Sequence, residues 1–262
     1  MNPLPVLLIS SLLLAQKPAP QPQTTDSNAN WILTFADEFN GSEPDLSRWV
    51  PHDPWGQARD RQLQAWVPDA VSISGGQLHL IATRTTEARP VRYDGKEREY
   101  VSGIVTTFGT FAQMYGRFEI RCRVAPGKGL RSVFSLFPVP LGPLPEIDIF
   151  EVAGSAPSSI SFANNWGTEQ TERSFGDSFP GPDLSTGFHT IAIEWDADKI
   201  VWFLDGKETL RSVDGIPRQP LFLLLDLPVG GGPGSALTRT PDQSTRFPAS
   251  FDIDYIRAYK HR

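Results

Sequence analysis

Cysteine is nearly absent from this 262-residue chain, which has one cysteine, two methionines and four histidines. Because Cys122 stands alone, no disulfide can form within the chain, although a chain of this length can bury a large core without cross-links. Cys122 lies in the alternating run RFEIRCRV, and no sequence feature marks an activating partner for it. We therefore predict a small apolar strand residue and not a nucleophile.

Cationic residues are fewer than acidic ones. The chain has 24 lysines and arginines and 30 aspartates and glutamates, which gives a formal net charge of −6. No basic stripe interrupts this acidic balance, which argues against a nucleic-acid partner. Metal and phosphate motifs are lacking as well. The histidines, which have no ligand spacing between them, are His52, His79, His189 and His261. The glycines at 230–232 lack the Lys-Ser/Thr of a phosphate loop, and the sequence has no Gly-x-Ser-x-Gly elbow.

Long hydrophobic runs are missing too. The apolar stretch from Val6 to Ala15 is too short to span a bilayer comfortably. It fits the apolar region of a secretory signal peptide, so we predict a signal peptide at residues 1–15 and a secreted, periplasmic or cell-surface protein. Residues 16–30 are rich in Pro, Gln, Thr and Asn and are predicted to be a disordered linker. A non-cleaved, membrane-associated tail is the alternative.

What the chain does contain, from Trp31 onward, is a succession of short alternating stretches separated by turn signals. They include VSISGGQLHLIATR, GRFEIRCRV, HTIAIEWDADKIVWFLDG, LFLLLDLPV and SFDIDYIRAY. Strands of this length and spacing, without a long helical period, are typical of a sandwich of antiparallel sheets. We therefore predict an all-β fold in which residues 31–262 form one domain.

One stretch, PEIDIFEVAG at residues 145–154, carries three acids among strand-forming apolar residues: Glu146, Asp148 and Glu151. With a strand period of two, the first two acids share a face and Glu151 points the other way. One extra, bulged residue between Asp148 and Glu151 would return all three to one face. Ile147 and one of the next two apolar residues would then point into the core.

Three carboxylates this close cannot all ionise at ordinary pKa values, because like charges raise at least one of those pKa values. Glycoside hydrolysis requires such a set, with one ionised carboxylate to attack the anomeric carbon and one protonated carboxyl to donate to the leaving oxygen. Two alternatives stay open on spacing alone. The acids would also suit a hard cation such as calcium, or would form a solvated strand face.

The stretch EIDIFE resembles the Glu-x-Asp-x-x-Glu signature of glycoside hydrolase family 16 in its bulged, laminarinase-like form. FADEFNG, SGIVTTFGTFAQMYGRFEIRCRVAPGKG, FHTIAIEWDADKIVWFLDG and FDIDYIRAYK resemble the same family and occur in its order, so that the resemblance covers about Trp31 to Lys260. It implies a β-jelly-roll sandwich of two antiparallel sheets with a concave glycan cleft. It also implies retaining hydrolysis of internal β-linkages in β-1,3- or β-1,3-1,4-glucans, or in related galactans.

Roles for the three acids follow from the resemblance. By position, Glu146 is expected to be the nucleophile and Glu151 the general acid/base. Asp148, between them, is expected to hydrogen-bond the nucleophile and tune its charge. No cofactor is expected for catalysis.

The resemblance further implies a structural calcium ion away from the cleft. The matching ligands are Glu38, the carbonyl of Gly76, and Asp254. An ion-pair or strand-end role for the two acids is the alternative.

The segments around the acids depart from the family's pattern. Where the family reads Gly-Thr-Trp-Pro-Ala-x-Trp, this chain reads GLRSVFS, with Arg131 and Ser135 at the two Trp positions. Arg61 stands at the Asn of an Asn-Glu-Leu-Gln segment, and Asn165 stands where a His is common. Arginines that line a cleft would favour an anionic or strongly hydroxylated sugar, whereas a solvated loop tip is the alternative for Arg131.

Six residues are accordingly predicted to contact the substrate: Trp55, Arg61, Trp66, Arg131, Asn165 and Trp166. The tryptophans are candidates for stacking on the apolar faces of sugars. Core or loop packing is the alternative for Trp55 and Trp66.

Taken together, these patterns predict an exported, monomeric, retaining endo-glycosidase that acts on a polysaccharide and has no membrane span in its mature form. A glycan-binding protein on the same fold is one alternative, which the altered cleft favours and the intact set of acids disfavours. A transglycosylase is another, because it shares the covalent intermediate and passes it to a sugar instead of water.

Overall fold

The computed structural model describes residues 30–56, 62–87, 89–93, 95–168, 170–230 and 239–262. The predicted signal peptide, all but the last residue of the predicted linker, and Arg61 lie outside the described residues. Within the described part of the chain, no helix is long and apolar enough to cross a membrane.

The described residues form eighteen β-strands and one short 3-10 helix, Pro68–Ala70. The strands are β1 Trp31–Asp37, β2 Gln64–Trp66, β3 Val71–Ser74, β4 Gln77–Arg84, β5 Val91–Tyr93, β6 Lys96–Arg98, β7 Tyr100–Ser102, β8 Ile104–Thr106, β9 Gly116–Arg123, β10 Arg131–Pro138, β11 Glu146–Ala153, β12 Ser159–Trp166, β13 Arg173–Pro180, β14 His189–Trp195, β15 Ile200–Leu204, β16 Lys207–Ser212, β17 Leu221–Asp226 and β18 Ala249–His261.

Two large sheets make up the domain. The larger runs β16-β15-β14-β9-β18-β4-β7-β2, with β1 paired to β18 and β3 paired to β4. The smaller runs β13-β12-β11-β10-β17-β8, and β5 and β6 form a separate hairpin. Neighbouring strands are antiparallel except β2 and β7. The predicted β-jelly-roll sandwich is confirmed.

Residue patterns in the strands account for the two layers. In β9 the buried residues Phe118, Ile120 and Cys122 alternate with half-buried polar ones, so one face meets the core and the other is wetted. Burial raises the pKa of the Cys122 thiol, which agrees with an inert apolar role. β17 is buried along its whole length, as its continuous apolar run predicts for a strand covered on both faces.

The main core fills the space between the sheets. Its largest fully buried members include Trp195 and Trp202 from the larger sheet and Phe150 from the smaller one. A second, smaller cluster lies on the other face of the smaller sheet and is called the cleft-side cluster here. It consists of Trp66, Ile104, Phe137, Phe222 and Leu224, with the partly buried Trp55, Tyr93, Phe108 and Leu141 packed against it.

Candidate active site

A β-bulge interrupts β11 in the middle of the acidic stretch. Two consecutive residues of β10, Phe134 and Ser135, lie opposite Phe150 and Asp148, so Ile149 is the extra residue. The register with β12 on the other side shifts over the same segment. The bulge predicted from the sequence is therefore confirmed.

The bulge separates the acids from their apolar neighbours. Glu146, Asp148 and Glu151 all line one cleft on the smaller sheet. Ile149 and Phe150 are both fully buried in the main core, where only one of them was expected. One strand thus presents three carboxylates to a wet surface while its other face supports the sandwich.

Asp148 is the most deeply placed of the three acids, with 7% of its surface exposed. Ser135 Oγ donates a hydrogen bond to its Oδ1 at 2.5 Å, and Asn165 Nδ2 donates to its Oδ2 at 3.1 Å. Burial raises the pKa of Asp148, while hydrogen bonds with Ser135 and with the carboxyl group of Glu146 act in the opposite direction. Asp148 and Glu146 therefore share a hydrogen bond within the cleft.

The backbone of the bulge is held from the opposite sheet. Trp202 Nε1 on β15 donates a hydrogen bond to the carbonyl oxygen of Asp148 at 2.9 Å, across the interior of the sandwich. Trp202 is fully buried. Because a bulge disrupts the strand ladder locally, this indole supplies a fixed donor at the point where β11 departs from regular pairing.

Glu151 has a cationic partner in Arg131 of β10. The Arg131 Nη1 atom lies 3.2 Å from Oε1 and 3.4 Å from Oε2 of Glu151. Both side chains are largely buried, with exposures of 15% for Arg131 and 17% for Glu151. Arg131 thus lines the cleft and is held in an ion pair, not at a solvated loop tip.

The remaining lining of the cleft includes residues that the sequence reasoning missed. The full set of other lining residues is Gln62, Val133, Ser135, Phe137, Asn165, Leu224 and Asp226. Asp226 adds a fourth carboxyl group to the cleft and is 3% exposed. It lies on the same level as Glu151, because Val133 of β10 pairs with Asp226 on one side and with Glu151 on the other. In the sequence, Asp226 directly follows the apolar run LFLLL. An acid at the end of an otherwise buried strand is the pattern that could have identified it as a candidate site residue.

Two of the predicted tryptophans lie on the cleft side. Trp55 is half-buried, and its ring centroid is 4.9 Å from that of Phe137, which lines the cleft. Trp66 is 6% exposed and belongs to the cleft-side cluster. Trp55 therefore packs beside a lining residue of the cleft, and Trp66 occupies the packing position that was the alternative for both.

Trp166 is not brought to the acids. It follows Asn165 on β12 and so points to the opposite face of the strand. Its ring lies over Gly215, where an added Cβ would come within 1.9 Å of the ring. This placement argues against stacking of a sugar on Trp166, while Asn165 remains in the cleft.

The acids expected to bind calcium are both paired with arginines. Glu38 accepts hydrogen bonds from Arg257 at 2.8 and 2.9 Å, and Asp254 Oδ2 lies 2.5 Å from Arg121 Nη1. Within the part of the chain that the structure describes, no group of three His, Cys, Asp or Glu side chains is placed to hold a metal. The pairs match the ion-pair alternative, and the calcium ion stays a prediction.

Known proteins of similar sequence identify the family of this chain. A family model described as "Glycosyl hydrolases family 16" matches residues 60–223, more than half of the chain. The chain belongs to glycosyl hydrolases family 16. Members of family 16 are glycoside hydrolases by the family's own description, and the cleft with its three acids is the candidate active site of this member.

Curated members of the family show how far the similarity extends. The chain is 31% identical to the endo-1,3-1,4-beta-glycanase ExsH of Rhizobium meliloti, over 86% of this chain and 51% of ExsH. It is 30% identical to a beta-glucanase of Rhodothermus marinus, over 90% of this chain and 87% of that protein. The chain spans about half the length, or less, of several curated relatives that it matches.

A solved structure of a laminarinase has the same architecture. The laminarinase catalytic domain of Thermotoga maritima superposes with a TM-score of 0.75 at 26% identity, over 88% of this chain and 98% of that domain.

Proposed function

We propose that this chain is a retaining endo-glycosidase that hydrolyses internal β-1,3 or β-1,3-1,4 linkages of a glucan by double displacement. The observation that carries the proposal is the bulge in β11, which aims three carboxylates into one cleft. A surface that only bound sugars would have no chemical use for carboxylates held this close together, since their mutual repulsion is costly. Similarity to glucanases over most of the domain supports the same reaction.

In the first step, Glu146 attacks the anomeric carbon in its ionised form. The glycosidic C–O bond breaks as the new ester bond forms, and Glu151 in its protonated form gives its proton to the leaving sugar oxygen. In the second step, Glu151 takes a proton from water, the water oxygen attacks the anomeric carbon, and Glu146 leaves as a carboxylate. Two inversions at the same carbon retain the β configuration.

Because Glu146 is ionised in the first step, the hydrogen bond between the two carboxyl groups requires Asp148 to carry the shared proton, which agrees with the raised pKa of Asp148. Ser135 and Asn165 hold the Asp148 carboxyl group from two sides, so its orientation is set by the sheet and not by solvent. A buried, oriented partner stabilises the position of the nucleophile before substrate binds, which is the arrangement that lowers the cost of reaching the transition state.

A neutral polysaccharide suits the charges of the cleft better than an anionic one. The described lining carries four carboxyl groups, Glu146, Asp148, Glu151 and Asp226, against the single cation Arg131. Arg131 is already in contact with Glu151. A polyanion would enter a region of like charge, so glucans are favoured over sulfated or uronic polymers.

The direct test is replacement of the nucleophile. Glu146→Ala should reduce hydrolysis of laminarin and lichenan by about 10³-fold or more. Added azide should enter the vacated space and give a glycosyl azide of α configuration, which proton NMR identifies from the anomeric coupling. Glu208→Ala, a substitution at an exposed glutamate on β16, is the matched control and should keep full activity.

Outcomes of this test separate the competing functions. If Glu146→Ala kept the turnover of the unsubstituted protein, Glu146 would not be the nucleophile. Products longer than the substrate, detected by mass spectrometry, would favour a transglycosylase. Binding of glucans by the unsubstituted protein without any turnover would favour a glycan-binding protein.

Export is part of the proposal, because a polysaccharide outside the cell is too large to enter it intact. The short apolar run from Val6 to Ala15 supports it. Amino-terminal sequencing of the protein secreted by its host or by an expression strain tests it. A mature chain that still begins at Met1 would contradict cleavage.

A further inference from the structure

The ion pair between Arg131 and Glu151 is not needed by the reaction as written above, yet it is built into the cleft. Arg131 begins β10, and Val133, two residues later, pairs directly with Glu151. Residues diagonal to each other on adjacent strands are within reach of a long side chain. The Arg131 side chain spans this diagonal and ends 3.2 Å from the carboxylate.

Partial burial makes this pair stronger than an ordinary surface pair. Exposures of 15% and 17% remove most of the water that would otherwise screen the two charges. Surface pairs, in contrast, are screened and contribute little. The charge of Arg131 is therefore able to influence which protonation state Glu151 adopts.

The other charged groups around Glu151 act in the opposite sense. Glu146 and Asp148 lie on the same strand, and Asp226 lies across β10 on β17. From β12, the residue paired with Glu151 is the uncharged Ser161. Negative neighbours favour the protonated form of Glu151, whereas Arg131, the only cation among the described lining residues, favours the ionised form.

We propose that Arg131 is a positioning residue that biases Glu151 toward its ionised form and thereby sets the upper pH limit of the reaction. The inference rests on the proposed function, in which Glu151 must be protonated for the first step and ionised for the second. Arg131 therefore assists the step in which water is deprotonated. It opposes the step in which the leaving oxygen is protonated, and this opposition grows as the pH rises.

Three substitutions test the role of the charge. Arg131→Gln keeps hydrogen-bond donors and removes the charge, Arg131→Lys keeps the charge, and Arg131→Met serves if the glutamine variant does not fold. Because the cation disfavours the protonated acid, its removal should move the basic limb of the pH profile of kcat/KM on lichenan upward by about one unit. Arg131→Lys should leave the limb close to that of the unsubstituted protein.

A substrate with a dinitrophenyl leaving group needs no proton in the first step. Because Glu151 is not used as an acid on it, the limb set by Glu151 should be missing from its profile, and Arg131→Gln should leave that profile unchanged. A structural role for Arg131 would instead lower kcat/KM equally on both substrates and leave both profiles in place. A selective loss of sulfated glucans would make Arg131 a recognition residue and would also overturn the proposal.

A second readout does not depend on turnover. Carbon-13 NMR of protein labelled at the glutamate carboxyl carbons follows the titration of Glu151 directly, with Glu151→Gln providing the assignment. The midpoint should be higher in Arg131→Gln or Arg131→Met than in the unsubstituted protein, and an equal or lower midpoint would refute the proposal. If no glucan is hydrolysed at all, the proposed function fails while the titration still decides the effect of Arg131.

Discussion

Trp202→Phe is the substitution that tests most directly whether the larger sheet holds the acidic strand β11 in place. Trp202 donates its indole hydrogen to the carbonyl oxygen of Asp148 at 2.9 Å and is fully buried. Phenylalanine keeps an aromatic ring at the site and removes the donor. The bulge would then lose the hydrogen bond that ties the Asp148 carbonyl to the opposite sheet.

The expected loss of stability has two parts. A buried carbonyl deprived of its donor costs about 1–3 kcal/mol. The smaller ring leaves a cavity of about 40 Å³, which adds about 1 kcal/mol at about 24 cal/mol per Å³. The free energy of unfolding should therefore fall by about 2–4 kcal/mol, which for a domain of this size lowers Tm by roughly 5–15 °C.

Trp195→Phe is the matched control. Trp195 is also buried in the larger sheet, but its indole donates to the carbonyl of Pro217 at 3.2 Å, away from the acidic strand. Calorimetry should show a similar drop in Tm for both variants. Only Trp202→Phe should lower kcat/KM on lichenan at 25 °C, by about tenfold or more, because small displacements of catalytic groups are costly. Equal activities in the two variants would show that the indole does not position the bulge.

Two further outcomes follow from the cleft. Burial raises the pKa of Asp148 in the folded state, so its ionised form destabilises the fold above that pKa. Asp148→Asn should therefore raise Tm by a few degrees at pH 7 while lowering activity. Calorimetry should show that this gain in Tm vanishes in acid, where Asp148 is protonated. Trp55→Ala should raise KM for glucans about threefold to tenfold, because it removes an aromatic surface beside Phe137. Trp166→Ala should leave KM unchanged, because its ring lies over Gly215. Equal effects of the two substitutions on KM in steady-state kinetics would contradict this distinction.

Much of the fold was predictable because its strands have strong periods. The alternation in β9 and the continuous apolar run in β17 each have a simple physical cause, burial on one face or on both. The order of strands in each sheet was not predictable from periodicity. It depends on pairings such as β9 with β18, which join residues more than a hundred positions apart.

The bulge was predictable from the acids alone, because only an extra residue brings Glu151 to the face of Asp148. The burial of both Ile149 and Phe150 was not, since a period of two cannot assign side chains inside an irregular segment. The partner of Arg131 was missed for a different reason. Glu151 lies twenty positions away, and only the pairing of β10 with β11 makes them neighbours.

The cleft-side cluster gives one wall of the cleft a small hydrophobic core of its own. Within it, the rings of Phe108 and Phe222 lie 5.1 Å apart, and Trp55 meets Phe137 edge-on at 4.9 Å. These side chains are restrained by one another before any sugar arrives. A loose aromatic side chain would lose rotamer entropy on binding, at a cost of about 0.5–1.5 kcal/mol each. Packing has already fixed these rotamers in the folded protein, so a glycan bound under the proposed function would meet a rigid surface.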